Sequence, residues 1–172
     1  MLWKQLGEAQ EFFFWVEDNI ACRYDNEYEE NPILGFKVGD GGDGGDYRQK
    51  PIETLTEKAE DCEDMATLEA AFYKHFGIEA YIVDVDAQDP EIVDHAAAIV
   101  KIGDHKEEFE SVLGGLLYYE IGEGIKDVYG NTVTPGVYMI VGNSYSGALG
   151  YISGGTRQRT FTIHCIIPFE KG

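Results

Sequence analysis

The chain has 172 residues, with 32 acidic against 13 basic side chains and a formal net charge of -19 at pH 7. This acidity disfavours a nucleic-acid partner, because DNA and RNA are bound by Lys and Arg side chains that neutralise phosphates. Hydrophobic residues make up 44% of the chain and aromatic residues 13%, which is enough for one core. We therefore expect a single domain over residues 1–172.

The three cysteines, Cys22, Cys62 and Cys165, exclude a fully paired disulfide framework and favour a reducing compartment. The sequence contains no Cys-x-x-Cys pair and no Cys/His cluster that would predict a zinc site. The Asp/Gly-rich stretch 39–46 lacks the residue order of a calcium-binding loop. No signal peptide or membrane span is recognisable in the sequence. We expect a cytoplasmic protein without metal, cofactor or membrane partner; the sequence indicates no oligomeric state.

The first predicted element is a long N-terminal helix. Its apolar residues recur at helical spacing, at Leu2, Leu6, Ala9, Phe13, Val16 and Ile20. From 24 to 50 the chain turns acidic and rich in glycine, which predicts a surface loop.

A second helix is predicted to begin at Cys62. Asp61 is a favoured N-cap residue, and Asp64 stands where a capping-box acid can reach back. Apolar residues then recur at helical spacing until Gly77, at Met65, Leu68, Phe72 and Phe76. At a helix start the dipole favours thiolate, whereas the surrounding acids oppose it. A reactive Cys62 would therefore need a basic partner from elsewhere in the fold.

Five segments after Gly77 have the pattern of strands, and the first of them is apolar on both faces, as an internal strand requires. With two helices preceding them, these segments predict an α+β domain in which the Cys62 helix packs on an antiparallel sheet. The predicted strands are 78–85, 95–102, 116–121, 137–141 and 160–167.

Among the four histidines, His95 is the candidate partner of Cys62, because it follows a loop and opens an apolar strand, a position from which a side chain can face a cleft. If His95 lay opposite Glu120 in an antiparallel pair, the apolar residues of both strands would also match. This pairing predicts a Cys62/His95/Glu120 relay in which the acid orients the imidazole. Asp127 and Asp94 remain alternatives for the acid, and Cys22 and Cys165 are interpreted as structural.

Over about residues 12–122 the chain resembles the transglutaminase-like superfamily, especially its small microbial cysteine-peptidase-like members. The resemblance rests on WVEDNI at 15–20, KPIETL at 50–55, EDCED at 60–64, GIEAY at 77–81 and HA at 95–96. The remaining stretch, 123–172, is rich in glycine and tyrosine. Three positions depart from the family pattern: Glu60 replaces a usual glycine, Ala97 replaces a common tryptophan, and Glu120 stands where many members have aspartate and some have glutamate.

The resemblance implies a transglutaminase-like, papain-like cysteine protease fold with the catalytic cysteine at a helix N-terminus. It assigns the triad roles to Cys62, His95 and Glu120. The implied activity is hydrolysis of peptide or isopeptide bonds in a peptide or protein substrate, through a thioester. Amine transfer to protein glutamine by the same triad, or an inactive binding module, are the alternatives.

The tetrahedral intermediate of this chemistry needs two oxyanion donors. One is expected to be the Cys62 backbone N–H. By residue type, the candidates for the second donor or for substrate binding are Gln10, Tyr47 and Gln49.

Overall fold

A computed structural model describes residues 11–12, 14–16, 18–22, 50–86, 93, 95–108, 118–141 and 162–169. Described positions between 11 and 19 are helical, which agrees with the later part of the predicted N-terminal helix. Val16 and Ile20 are buried there against Met65 and Leu68. Within the described segments, no helix combines the length and hydropathy that a membrane crossing requires.

Helix α1, Pro51–Glu57, was not predicted, although its start carries ordinary helix signals. Proline occupies the first helical turn, where its missing N–H costs nothing. The backbone N–H of Lys50 donates to the Glu53 carboxylate at 2.6 Å, which ties the chain back onto the first turn. After α1, strand β2, Ala59–Glu60, pairs in parallel with strand β1, Ala21–Cys22.

Helix α2, Cys62–His75, begins and ends close to the predicted residues. Asp61 occupies the N-cap, but no side-chain capping hydrogen bond is formed, so the predicted capping geometry differs. Gly77 has a φ of 74°, a left-handed conformation that glycine adopts without steric cost and that ends the helix.

Among the described residues, the main sheet has five antiparallel strands in the order β5-β6-β4-β3-β7, which confirms the α+β prediction. Strand β3 is internal, as its apolar faces indicated, and β4 is the central strand. A short 3-10 helix, Lys106–Glu108, follows β4. The strands are β3 Ala80–Val85, β4 His95–Gly103, β5 Tyr118–Ile121, β6 Gly136–Val141 and β7 Ile163–Pro168.

Each face of the sheet is covered by a separate apolar cluster. Helix α2 covers one face, which we call the helix face, with side chains such as Ala66 and Ala70 against Ala96 and Ala98. The opposite face is lined by alternate residues and is covered in part by the connection 122–135, which contributes the buried Val133. Strand alternation therefore decides which residues of β4 can face α2.

Candidate functional site

Cys62 is the first residue of α2 and lies partly buried against the start of β4. The backbone N–H of Ala96 donates a hydrogen bond to the Cys62 sulfur. The thiol in turn donates to Glu63 Oε2, with a sulfur-to-oxygen distance of 3.4 Å. A single helix start therefore brings the thiol, a backbone donor of the central strand and a carboxylate together.

The surroundings of Cys62 favour the thiol over the thiolate. Burial is the largest cause and, with Glu63 and Asp61, raises the Cys62 pKa to about 12, against the opposing effect of the Ala96 N–H. The acids beside Cys62 were recognisable in the sequence as unfavourable for a thiolate. The extent of burial was not, because it comes from packing against β4.

His95 is the first residue of β4 and only 6% exposed. In the ladder it lies opposite Val85, a residue of the face away from α2. Its neighbour Ala96 lies on the helix face beside Cys62. The chain therefore brings His95 to the same end of the sheet as Cys62, whereas strand alternation places its side chain on the face of Val85.

The predicted pairing of His95 with Glu120 is wrong. Strand β6 lies between β4 and β5, so Glu120 pairs with Val137. The Glu120 carboxylate is 54% exposed and accepts from Lys106 Nζ at 3.2 Å. Matching residue parity did not identify the neighbour of β4, because the same alternation of apolar residues is compatible with more than one strand in a sheet.

Of the alternative acids, Asp127 is buried within its own turn. It accepts hydrogen bonds from the backbone N–H groups of Tyr129 and Asn131, both at 2.9 Å. This arrangement orders the connection between β5 and β6. Asp94 lies outside the described residues.

The Cys62 backbone N–H stands at the first helical position, where α-helix geometry provides no intrahelical acceptor. This is the position expected of one oxyanion donor. Gln10, Tyr47 and Gln49, as well as the Asp/Gly-rich stretch 39–46, lie outside the described residues. In the described segments, no three His, Cys, Asp or Glu side chains are grouped so that they could hold a metal ion.

Asp84 is a polar residue near this site that sequence reasoning missed. It lies directly opposite Ala96 in the sheet and accepts a hydrogen bond from the Cys165 thiol at 2.9 Å. A single acid at an alternating position of an otherwise apolar strand was the available signal. Cys165, interpreted as structural, thus belongs to a pair that joins β3 and β7.

A scan against family models matches residues 4–106 to a transglutaminase-like domain. The match spans more than half of the 172 residues and contains both Cys62 and His95. Searches of curated proteins and of solved structures returned no significant match. Because the family model matches more than half of its residues, the chain belongs to the transglutaminase-like domain family.

Proposed function

We propose that the protein is a cysteine hydrolase that cleaves peptide or isopeptide amide bonds, with Cys62 as the nucleophile and His95 as the proton carrier. The observation that carries this proposal is the hydrogen bond from the Ala96 N–H to the Cys62 sulfur. It anchors a thiol at the start of α2 to the residue that follows His95. Family membership supports the same class of chemistry.

In the proposed reaction the Cys62 thiol loses its proton to His95 as sulfur bonds to the carbonyl carbon. The carbonyl oxygen becomes an oxyanion beside the Cys62 backbone N–H. His95 then protonates the amine as the carbon–nitrogen bond breaks, which leaves a thioester. Water hydrolyses the thioester and returns the thiol.

The proposal requires the His95 imidazole to approach Cys62 in the complex with substrate. His95 is the first residue of β4, so its ring lies at the end of the sheet rather than in the middle of a face. Catalytic hydrogen bonds often form fully only when substrate is bound. A modest rotation at the strand start is therefore part of the proposed mechanism.

An inactive binding module of the same family is the second candidate. The buried, protonated thiol favours it, since a nucleophilic cysteine ordinarily has a lowered pKa. The strand register favours the binding module as well, because it places His95 opposite Val85, on the face of the sheet away from Cys62. The two candidates differ in whether any amide is consumed.

A turnover experiment in water enriched in oxygen-18 separates these functions. The full chain is incubated with aminocoumarin peptide amides and with Nε-(γ-glutamyl)-lysine isopeptides, in the presence of methylamine, and the products are read by mass spectrometry. Hydrolysis gives an acid that carries oxygen-18, whereas amine transfer gives an N-methylamide. Loss of product in both Cys62→Ala and His95→Ala supports the proposed sites, and no product from any substrate would favour the binding module.

A further inference from the structure

The Glu63 carboxylate is buried beside Cys62 in the first turn of α2. It is only 8% exposed, and its Oε2 accepts a hydrogen bond from the Cys62 thiol with a sulfur-to-oxygen distance of 3.4 Å. The other oxygen, Oε1, is buried without a hydrogen-bond partner in the described part of the chain. The carboxylate is thus directed at the nucleophile with one acceptor unused.

A buried carboxylate oxygen without a donor is costly, because the lost hydration is not replaced. A cationic N–H donor placed at Oε1 would remove that cost through a charge-assisted hydrogen bond. Such a donor would also cancel the negative charge beside the sulfur. Both effects would weaken the hold of Glu63 on the thiol proton.

We propose that Glu63 is a specificity-determining residue that holds Cys62 as a thiol until an ammonium group of the substrate pairs with Glu63 Oε1. The inference rests on the proposed hydrolase function and names the substrate class of that site: amides that carry a primary ammonium near the scissile bond.

The charges around the thiol are consistent with this role. On α2, Glu63 disfavours the thiolate both by its charge and as hydrogen-bond acceptor, and the N-cap residue Asp61 adds a second carboxylate. From β4, the only favourable contribution among the described residues is the Ala96 N–H. An ammonium group would supply the positive charge that these described neighbours lack.

The test measures the rate of iodoacetamide labelling of Cys62 in the full chain at pH 8 by mass spectrometry, with no substrate present. Methylammonium chloride is compared with tetramethylammonium chloride, which carries equal charge but no N–H donor, at constant ionic strength. We expect methylammonium to accelerate labelling at least about threefold. Each unit by which the Cys62 pKa falls gives about tenfold more thiolate, although that thiolate is less nucleophilic. Tetramethylammonium should have little effect.

The matched variant is Glu63→Gln, with the exposed Glu123→Gln as control. Glu63→Gln should label faster than the parent and lose its response to methylammonium, whereas Glu123→Gln should behave as the parent. Equal responses in the parent and Glu63→Gln would overturn the inference. If Glu63→Gln does not fold, as judged by circular dichroism, the two ammonium salts on the parent decide the question.

The labelling experiment and the turnover experiment can fail separately. Turnover without any ammonium effect on labelling overturns the role of Glu63 and leaves the hydrolase. An ammonium effect in a protein that cleaves no amide overturns the hydrolase.

Discussion

Ala96 connects the two residues on which the proposed chemistry depends. Its N–H donates to the Cys62 sulfur, and its preceding residue in the chain is His95. Because successive strand residues face opposite sides, the contact that brings Cys62 to β4 also assigns His95 to the other face. His95 is the first residue of β4, so no preceding strand residue fixes the direction of its side chain. Whether the imidazole can turn toward Cys62 at this strand start therefore determines whether the proposed catalysis is possible.

We expect the Cys62 thiol of the free protein to remain protonated through neutral pH. With a pKa raised by burial to about 12, its iodoacetamide labelling rate should increase about tenfold for each pH unit from 7 to 9, without a plateau. Mass spectrometry of the labelled peptides measures this rate, with Cys62→Ala to confirm the assignment. A plateau below pH 8 would contradict the buried, acid-flanked environment of the thiol.

Cys62→Ala and His95→Ala should lose turnover for different reasons and with different effects on stability. Cys62→Ala removes the nucleophile from a partly buried site and should change the free energy of unfolding by no more than about 1 kcal/mol. His95→Ala should lower turnover about 10²- to 10⁴-fold and also cost about 1–3 kcal/mol, since the side chain is buried. Urea unfolding and the isotope assay measure the two quantities.

The exposed histidine His164 on β7 provides the control for His95. His164→Ala should retain both turnover and stability. Turnover that survives in His95→Ala would remove this residue from the mechanism.

Glu120→Gln should have little effect on turnover. The carboxylate is solvent-exposed and paired with Lys106, and β6 separates its strand from β4. Exposed ion pairs of this kind contribute little to stability, so the melting temperature should also stay close to that of the parent. A loss of turnover comparable to that of His95→Ala would show instead that Glu120 approaches the site in the substrate complex.

The elements that could be predicted from the sequence are those with strong local patterns. The Cys62 helix has an apolar stripe and a terminating Gly77, and β3 and β4 are apolar on both faces. These patterns depend on residues close in the chain, so one sequence is sufficient to recognise them.

The strand order could not be predicted, because it depends on contacts between distant segments. Strands β5 and β6 form an antiparallel pair, and it is β6 that lies beside β4. The Glu63 hydrogen bond to Cys62 was hidden for a different reason: adjacent helix residues do not usually face each other. Neither relation leaves a periodic signal in the sequence.

The burial of Glu69 predicts that the stability of the folded protein depends on pH, and this prediction is independent of the catalytic proposal. The side chain is 1% exposed, and neither carboxylate oxygen has a hydrogen-bond partner among the described residues. Burial raises its pKa from an ordinary 4.5 to about 8. Between these values the folded state keeps a proton that the unfolded state has lost, so stability falls by about 1.4 kcal/mol for each unit of rising pH.

Glu69→Gln removes the titrating proton while keeping the shape of the side chain. The variant should be more stable than the parent at pH 8 and should lack the Glu69 contribution to the decline in stability between pH 5 and 8. Urea unfolding at several pH values measures this difference, and the exposed Glu123→Gln should retain the full decline. Parallel pH profiles for the parent and Glu69→Gln would contradict the prediction, because they would mean that Glu69 has the same pKa in the folded and the unfolded protein.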